Sequence, residues 1–239
     1  ARRTYTVSTA PMPAPVDPLA IRNAEGRLSR NIADKAFGKL REPMLRFVQW
    51  GRTFGLGPAE AAFVYWKIPE TSSVSSALAQ SPLRSPSVFN FFRPGFIPPS
   101  SALAATNTTA PEFQLVNETT VGGYLNFMQD VIRNGLRSYI DPAVPQASYP
   151  NGLGYKLHSV ASYATELTLV SDATALVKRV NLLMAAGQIS DANQALMIAA
   201  IASMPVNSTN ATTLASQKMD RVAAAVLMVL ASSEYLIQK

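Results

Sequence analysis

The sequence contains no cysteine and a single histidine, His158. Without cysteine there are no disulfides and no thiolate metal sites, and one imidazole alone leaves no zinc site of the common kinds. Lack of cysteine is compatible with export, because many exported proteins also have none. Acidic residues never fall in the Asp-x-Asp-x-Asp-Gly spacing of a calcium loop, and no glycine-rich loop runs into Lys-Ser/Thr to cradle a phosphate. No serine sits in a Gly-x-Ser-x-Gly elbow, and no lysine follows a serine by three positions. His158 lies beside Ser159 with no assembled partners, so it reads as a satisfied histidine near a helix start. No metal and no cofactor are expected. The longest apolar run, Val222 to Ala231, falls well short of the roughly 20 residues that span a bilayer, so no membrane span is expected. Arg2 and Arg3 lead into polar and proline residues rather than an apolar stretch, so no signal peptide is visible; an exported chain would already have lost its leader.

What is present is an ordinary globular balance. The 239 residues, 48% hydrophobic and 15% charged, suffice to bury a core as one large domain or two small ones. The net charge of +6 resides entirely in residues 1–52, where ten Lys/Arg face four acids. Such an end can attract nucleic acid, anionic lipid or an acidic partner. The positive charges are spread among acids and apolar residues and form no aromatic-plus-basic nucleic-acid motif, so they read as a solvated helix face, and no nucleic acid is expected.

Residues 1–17 read as an extended arm, with Pro11, Pro13 and Pro15 favouring polyproline geometry. Residues 18–239 read as one all-helical domain. Asp17-Pro18 starts a helix running to about Phe37. A second follows from Glu42-Pro43 to Phe54, with Met44, Phe47, Val48 and Gly51 on one face, and a short one over Ala59–Trp66. The sequence Asn117-Glu118-Thr119-Thr120 begins a helix carrying Val121, Leu125, Met128, Ile132 and Leu136, which ends at Asn134-Gly135. Gly122-Gly123 in its first turn calls for close backbone packing. Residues 142–155 read as a loop. Ser171 or Asp172 caps a helix with Leu176, Val177, Val180, Leu183 and Met184 on one face, stopped by Gly187. Ser190 caps its antiparallel partner, which Pro205 stops. The last helix runs from about Leu214 to Ile237 around Val222, Val226, Val229 and Leu230. No stretch alternates like a strand, so the fold class is all-α: an irregular helical bundle with long Pro/Phe-rich loops, a C-terminal hairpin and a long final helix.

The densest irregular segment is Ser81–Met128. Six of the seventeen prolines and five of the ten phenylalanines lie between Pro82 and Phe113, which suggests a shaped, buried loop seating the Val121 helix. A polar set flanks it: Asn90, Arg93, Glu112, Gln114, Asn117, Glu118 and Asn126. Glu112 and Glu118 can form a general acid/base pair if the fold joins them and separates their pKa values. The plainer role for the set is to serve the backbone donors and acceptors of an irregular loop. Phe89, Phe91, Phe92 and Phe96 can line an aromatic pocket, although core packing is the commoner fate of clustered phenylalanines. Asn-x-Ser/Thr sequons fall at Asn107, Asn117, Asn207 and Asn210.

Several stretches in order resemble one bacterial family. They are Gly38–Pro43 with Leu45-Arg46, Ser85–Phe92 with Pro94, Ala110–Gln114, Asn117–Val121, Leu176–Leu183 with Ala186–Gln188, and Arg221-Val222 with Ser232–Gln238. Together they resemble the domain-of-unknown-function-1800 family over nearly everything after Asp17. Ser233 departs from that pattern, which has proline there. The resemblance implies the C-terminal part of a longer protein, exported to the periplasm, cell surface or medium, often behind a twin-arginine-type leader. It also implies a protein partner: the missing N-terminal half, or the sulfatase-like exported family whose genes often lie alongside. It supplies no catalytic residues. The expected function is therefore a non-catalytic helical subunit or scaffold docking on another exported protein. The alternative is half of an exported hydrolase-like or carbohydrate-binding protein whose site the missing half completes.

Overall fold

Pro43 at the first helical position, where its missing N–H costs nothing, starts helix α1 (Pro43–Thr53) in the computed structural model. The structure describes residues 21–22, 28–30, 38–58, 68–138 and 157–238. The expected arm, the Ala59–Trp66 helix and the 142–155 loop lie outside them. The chain divides into residues 1–39 with residue 239, and residues 40–238. In the first unit, Ile21–Arg22 and Leu28–Arg30 pair as short antiparallel strands, not as the helix expected from Pro18 to Phe37. Asn23 and Gly26 between them favour a turn over a continuing helix.

The second unit is helical around one core. After α1 come the single turn α2 (Ala102–Ala105), a 3-10 turn over Pro111–Leu115, and α3 (Glu118–Asn134). Then follow α4 (Ala164–Thr168), α5 (Ala173–Ala185), α6 (Asp191–Ser203), α7 (Ala211–Ala231) and α8 (Ser233–Leu236). The all-α expectation stands. Local cap chemistry explains most of the boundaries. Asn117 Oδ1 accepts the Thr119 and Thr120 N–H groups while Thr120 Oγ1 accepts the Asn117 N–H, a reciprocal capping box. Asp172 caps α5 and Ser190 caps α6. The α5–α6 hairpin turns through Ala186 and Gly187, both with positive φ.

Helix α7 lies at the centre, packed by α3, α5 and α6, with Val222, Val226, Val229 and Leu230 buried as the sequence predicts. The other faces turn partly away from expectation. On α1 the buried stripe is Phe47, Trp50 and Phe54, and Val48 faces solvent. On α3 it is Tyr124, Met128, Val131 and Ile132, with Val121 exposed; on α5 Leu183 is exposed. Gly123 is pressed onto residues 74–75: a Cβ there would sit 2.6 Å from the Val74 carbonyl oxygen. Gly122 meets nothing within 4 Å. The expected close packing therefore belongs to one glycine of the pair.

Two features escaped the sequence pattern. A three-stranded antiparallel sheet joins Gly57–Pro58, Leu157–Val160 and Leu136–Ser138, with Leu136 opposite Ser159. His158 thus lies within a strand and not near a helix start. The final helix also breaks: Ser232 leaves helical geometry, its hydroxyl accepts the Tyr235 N–H, and α8 begins anew.

Candidate functional site

The segment from Ser81 to Val116 is a tied but largely exposed loop, so the expectation of a buried one is corrected. Ser87 shapes its tip. The Ser87 carbonyl accepts the Asn90 N–H at 3.1 Å, and its hydroxyl accepts the Phe89 N–H at 3.1 Å. Asn90 takes a left-handed φ of 67°, which asparagine tolerates better than most residues. The two central positions of this turn are Val88 and Phe89, 96% and 58% exposed. Turn centres are ordinarily polar. Leu83 nearby is also fully exposed, while Phe91, Phe92 and Phe96 are half-buried. Arg84 and Arg93 are the only charged residues between Ser81 and Pro111.

The remaining polar residues serve mostly as fasteners. Gln114 Oε1 accepts the Arg93 N–H at 2.8 Å, and the Phe96 carbonyl accepts the Ala110 N–H at 2.9 Å, so the loop is laced to the 3-10 turn. Asn117 caps α3. Glu112 is buried on the 3-10 turn, whereas Glu118 is exposed in the first turn of α3, where a carboxylate complements the helix dipole. Asn126 is exposed on α3.

A second locus, not anticipated from the sequence, is an apolar cleft of about 270 Å³ between α1, the start of α3 and the α7–α8 corner. Aliphatic side chains including Leu115, Val121, Leu125, Leu230 and Ile237 line it. Arg46 and Tyr124 line it too, and each is almost wholly buried, at 6% and 4% exposure. The guanidinium carbon stands 4.0 Å from the centre of the Tyr124 ring. Neither Arg46 Nε nor the Tyr124 hydroxyl makes a well-formed hydrogen bond; the guanidinium lies over the ring, and its approach to the phenol oxygen is only a weak polar contact. Burial lowers the Arg46 pKa against the opposing pull of the Tyr124 and Tyr235 phenols, and burial pushes Tyr124 up to about 12, so the phenol stays protonated. A buried charge without a counter-charge costs several kcal/mol, of which ring stacking returns about 2 kcal/mol. The arrangement is a buried cation stacked on a buried phenol, both side chains lining a greasy cleft.

Arg46 thus lies apart from the solvated basic face expected for residues 1–52. The signal for this is its spacing: Pro43, Arg46, Phe47 and Trp50 fall at i, i+3, i+4 and i+7, a single stripe of α1.

The neighbouring carboxylates are already engaged. Glu42 Oε2 accepts from Gln80 Nε2 at 2.9 Å, and Gln80 Oε1 in turn accepts the Met44 N–H, capping α1 from 36 residues away. Glu234 Oε1 accepts from the Ser190 N–H and hydroxyl and from Asn193, and Oε2 accepts from the Ser233 hydroxyl. Burial alone would raise the Glu234 carboxyl, but its own backbone N–H together with Ser190, Asn193 and Ser233 hold it at about 2. Among the described residues there is no cluster of His, Cys, Asp or Glu fit to hold a metal ion, and no helix long and apolar enough to cross a membrane.

These features define a helical protein with a ligand-sized apolar cleft and an exposed apolar turn. The chain belongs to the family described as protein of unknown function DUF1800, which it matches over residues 27–237. Comparison with curated proteins and with solved structures finds no match.

Proposed function

We propose that this chain is a non-catalytic helical subunit that docks on an exported protein through the Ser87–Asn90 turn. The observation that carries the reading is Val88 and Phe89 at the exposed centre of a turn held by the Ser87 carbonyl and hydroxyl. Leaving two large apolar groups in water on an ordered turn is costly unless another surface covers them. Arg84 and Arg93, with no acid between Ser81 and Pro111, direct that turn toward a partner whose apolar patch is ringed by carboxylates. The export and the two partner candidates come from the family resemblance: the N-terminal remainder of a longer precursor, and a sulfatase-like neighbour.

The test mixes the purified chain with each candidate and follows association by sedimentation velocity. One of them binds, and Val88→Ser with Phe89→Ser weakens the complex by about tenfold or more while the melting temperature stays within a degree or two. A complex indifferent to both substitutions removes the docking role from this turn. Glu112→Gln and Glu118→Gln leave the complex intact; an activity that either one abolishes in a folded chain would establish an enzyme instead.

A further inference from the structure

The cleft beside α1 has a chemical character of its own, independent of the Val88–Phe89 turn. Its wall is apolar, and the polar atoms of its lining without a well-formed hydrogen bond are Arg46 Nε and the Tyr124 hydroxyl, whose side chains make a weak polar contact with each other. No carboxylate among the described residues pairs with Arg46. Glu42 is held by Gln80, and Glu234 by Ser190, Asn193 and Ser233. The remaining hydroxyls on the wall are committed as well: Thr120 donates to the Leu115 carbonyl and Ser233 to Glu234. Water can satisfy a lone N–H, but it does not neutralise a buried guanidinium.

We propose that this cleft binds a monocarboxylate carried on an apolar stem, with the carboxylate on the Arg46 guanidinium and the Tyr124 hydroxyl and the stem along Leu115, Val121, Leu125 and Leu230. One cation calls for one negative charge; a dianion such as phosphate would bury an excess charge in an aliphatic wall. A planar carboxylate also matches the fork of an arginine and leaves an oxygen for the phenol. The volume sets the stem. An apolar cavity of about 150 Å³ takes one benzene ring, so 270 Å³ suits a chain of roughly ten carbons.

Isothermal titration of the full chain with decanoate, decan-1-ol and inorganic phosphate at neutral pH tests the proposal. Decanoate binds saturably at one site, decanol binds about tenfold or more weakly, and phosphate does not bind. Arg46→Met brings decanoate down to the level of decanol. Tyr124→Phe gives a loss of a few-fold with the order of ligands kept. Should Arg46→Met fail to fold, Arg46→Lys keeps the charge without the fork, and the preference for decanoate survives at reduced affinity. A folded chain that ignores decanoate, or that takes decanoate and decanol equally, overturns the assignment. So does an Arg46→Met variant that retains the preference.

Discussion

Glu234, in the four-residue helix α8, holds the start of α6 by accepting from both the backbone N–H and the hydroxyl of Ser190, the residue that caps α6. The bonds stabilise the ionised carboxyl, so its folded pKa of about 2 lies below the ordinary 4.5. A carboxyl depressed in the folded state adds stability that is complete above the unfolded value and disappears as pH falls through the folded one. Urea midpoints of the parent chain should therefore fall between about pH 4.5 and pH 2. Glu234→Gln should be the less stable at pH 7, and its deficit should close over that same window. A deficit that is equal at pH 7 and pH 2 would falsify the linkage.

Arg221 on α7 makes the second long tie. Its guanidinium donates to the carbonyls of Met204, Val170 and Ala202, gathering the end of α6 and the turn before α5. Arg221→Met leaves those acceptors without their donor and should cost about 2–4 kcal/mol in urea unfolding. Arg221→Lys, a point donor with no fork, should recover less than half of it. A loss below about 0.5 kcal/mol would show that water replaces the arginine.

The glycine pair of α3 offers a contrast within one turn. Gly123→Ala sets a methyl 2.6 Å from the Val74 carbonyl oxygen and 2.9 Å from the Ser75 carbonyl carbon, both backbone atoms. It should destabilise by about 1–3 kcal/mol despite the better helix propensity of alanine. Gly122→Ala, with nothing nearby, should stabilise by up to about 1 kcal/mol. Thermal melts of the two variants should move in opposite directions.

The buried cation makes an unusual prediction for the free chain. Arg46→Met exchanges an unpaired guanidinium for an apolar stem of similar length, so the variant should match or exceed the parent in stability by about 1–3 kcal/mol. A marked loss in chemical denaturation would mean that the stack on Tyr124 is itself structural.

Much of the architecture was written in short-range chemistry, where one residue's oxygen meets an N–H two or three positions on. Asn117, Asp172 and Ser190 declared their helices for that reason. Distant partners were not legible. The α1 cap comes from Gln80, so nothing near Glu42 reveals it. The two- to four-residue strands at Gly57, Leu136 and Leu157 are too short to show alternation. At Ser232 a serine cap was hidden inside a continuous apolar periodicity. The phenylalanines misled because composition reports apolar area and not what covers it. A charge on an amphipathic helix is usually solvated, which masks Arg46 even though its spacing places it on the inner stripe.

The Ser232 break also governs the order in which the chain can fold. Beyond it, the Tyr235 hydroxyl donates to Gln49 on α1, and the Leu236 carbonyl accepts the Arg41 N–H. Gln49 passes the link on to the Met184 carbonyl at the end of α5. These ties join residues nearly 190 positions apart, so α1 gains them only after α8 has been made. Contacts of such long sequence separation form late, so the apolar face of α1 around Trp50 stays exposed to misassociation until the chain as far as α8 is available.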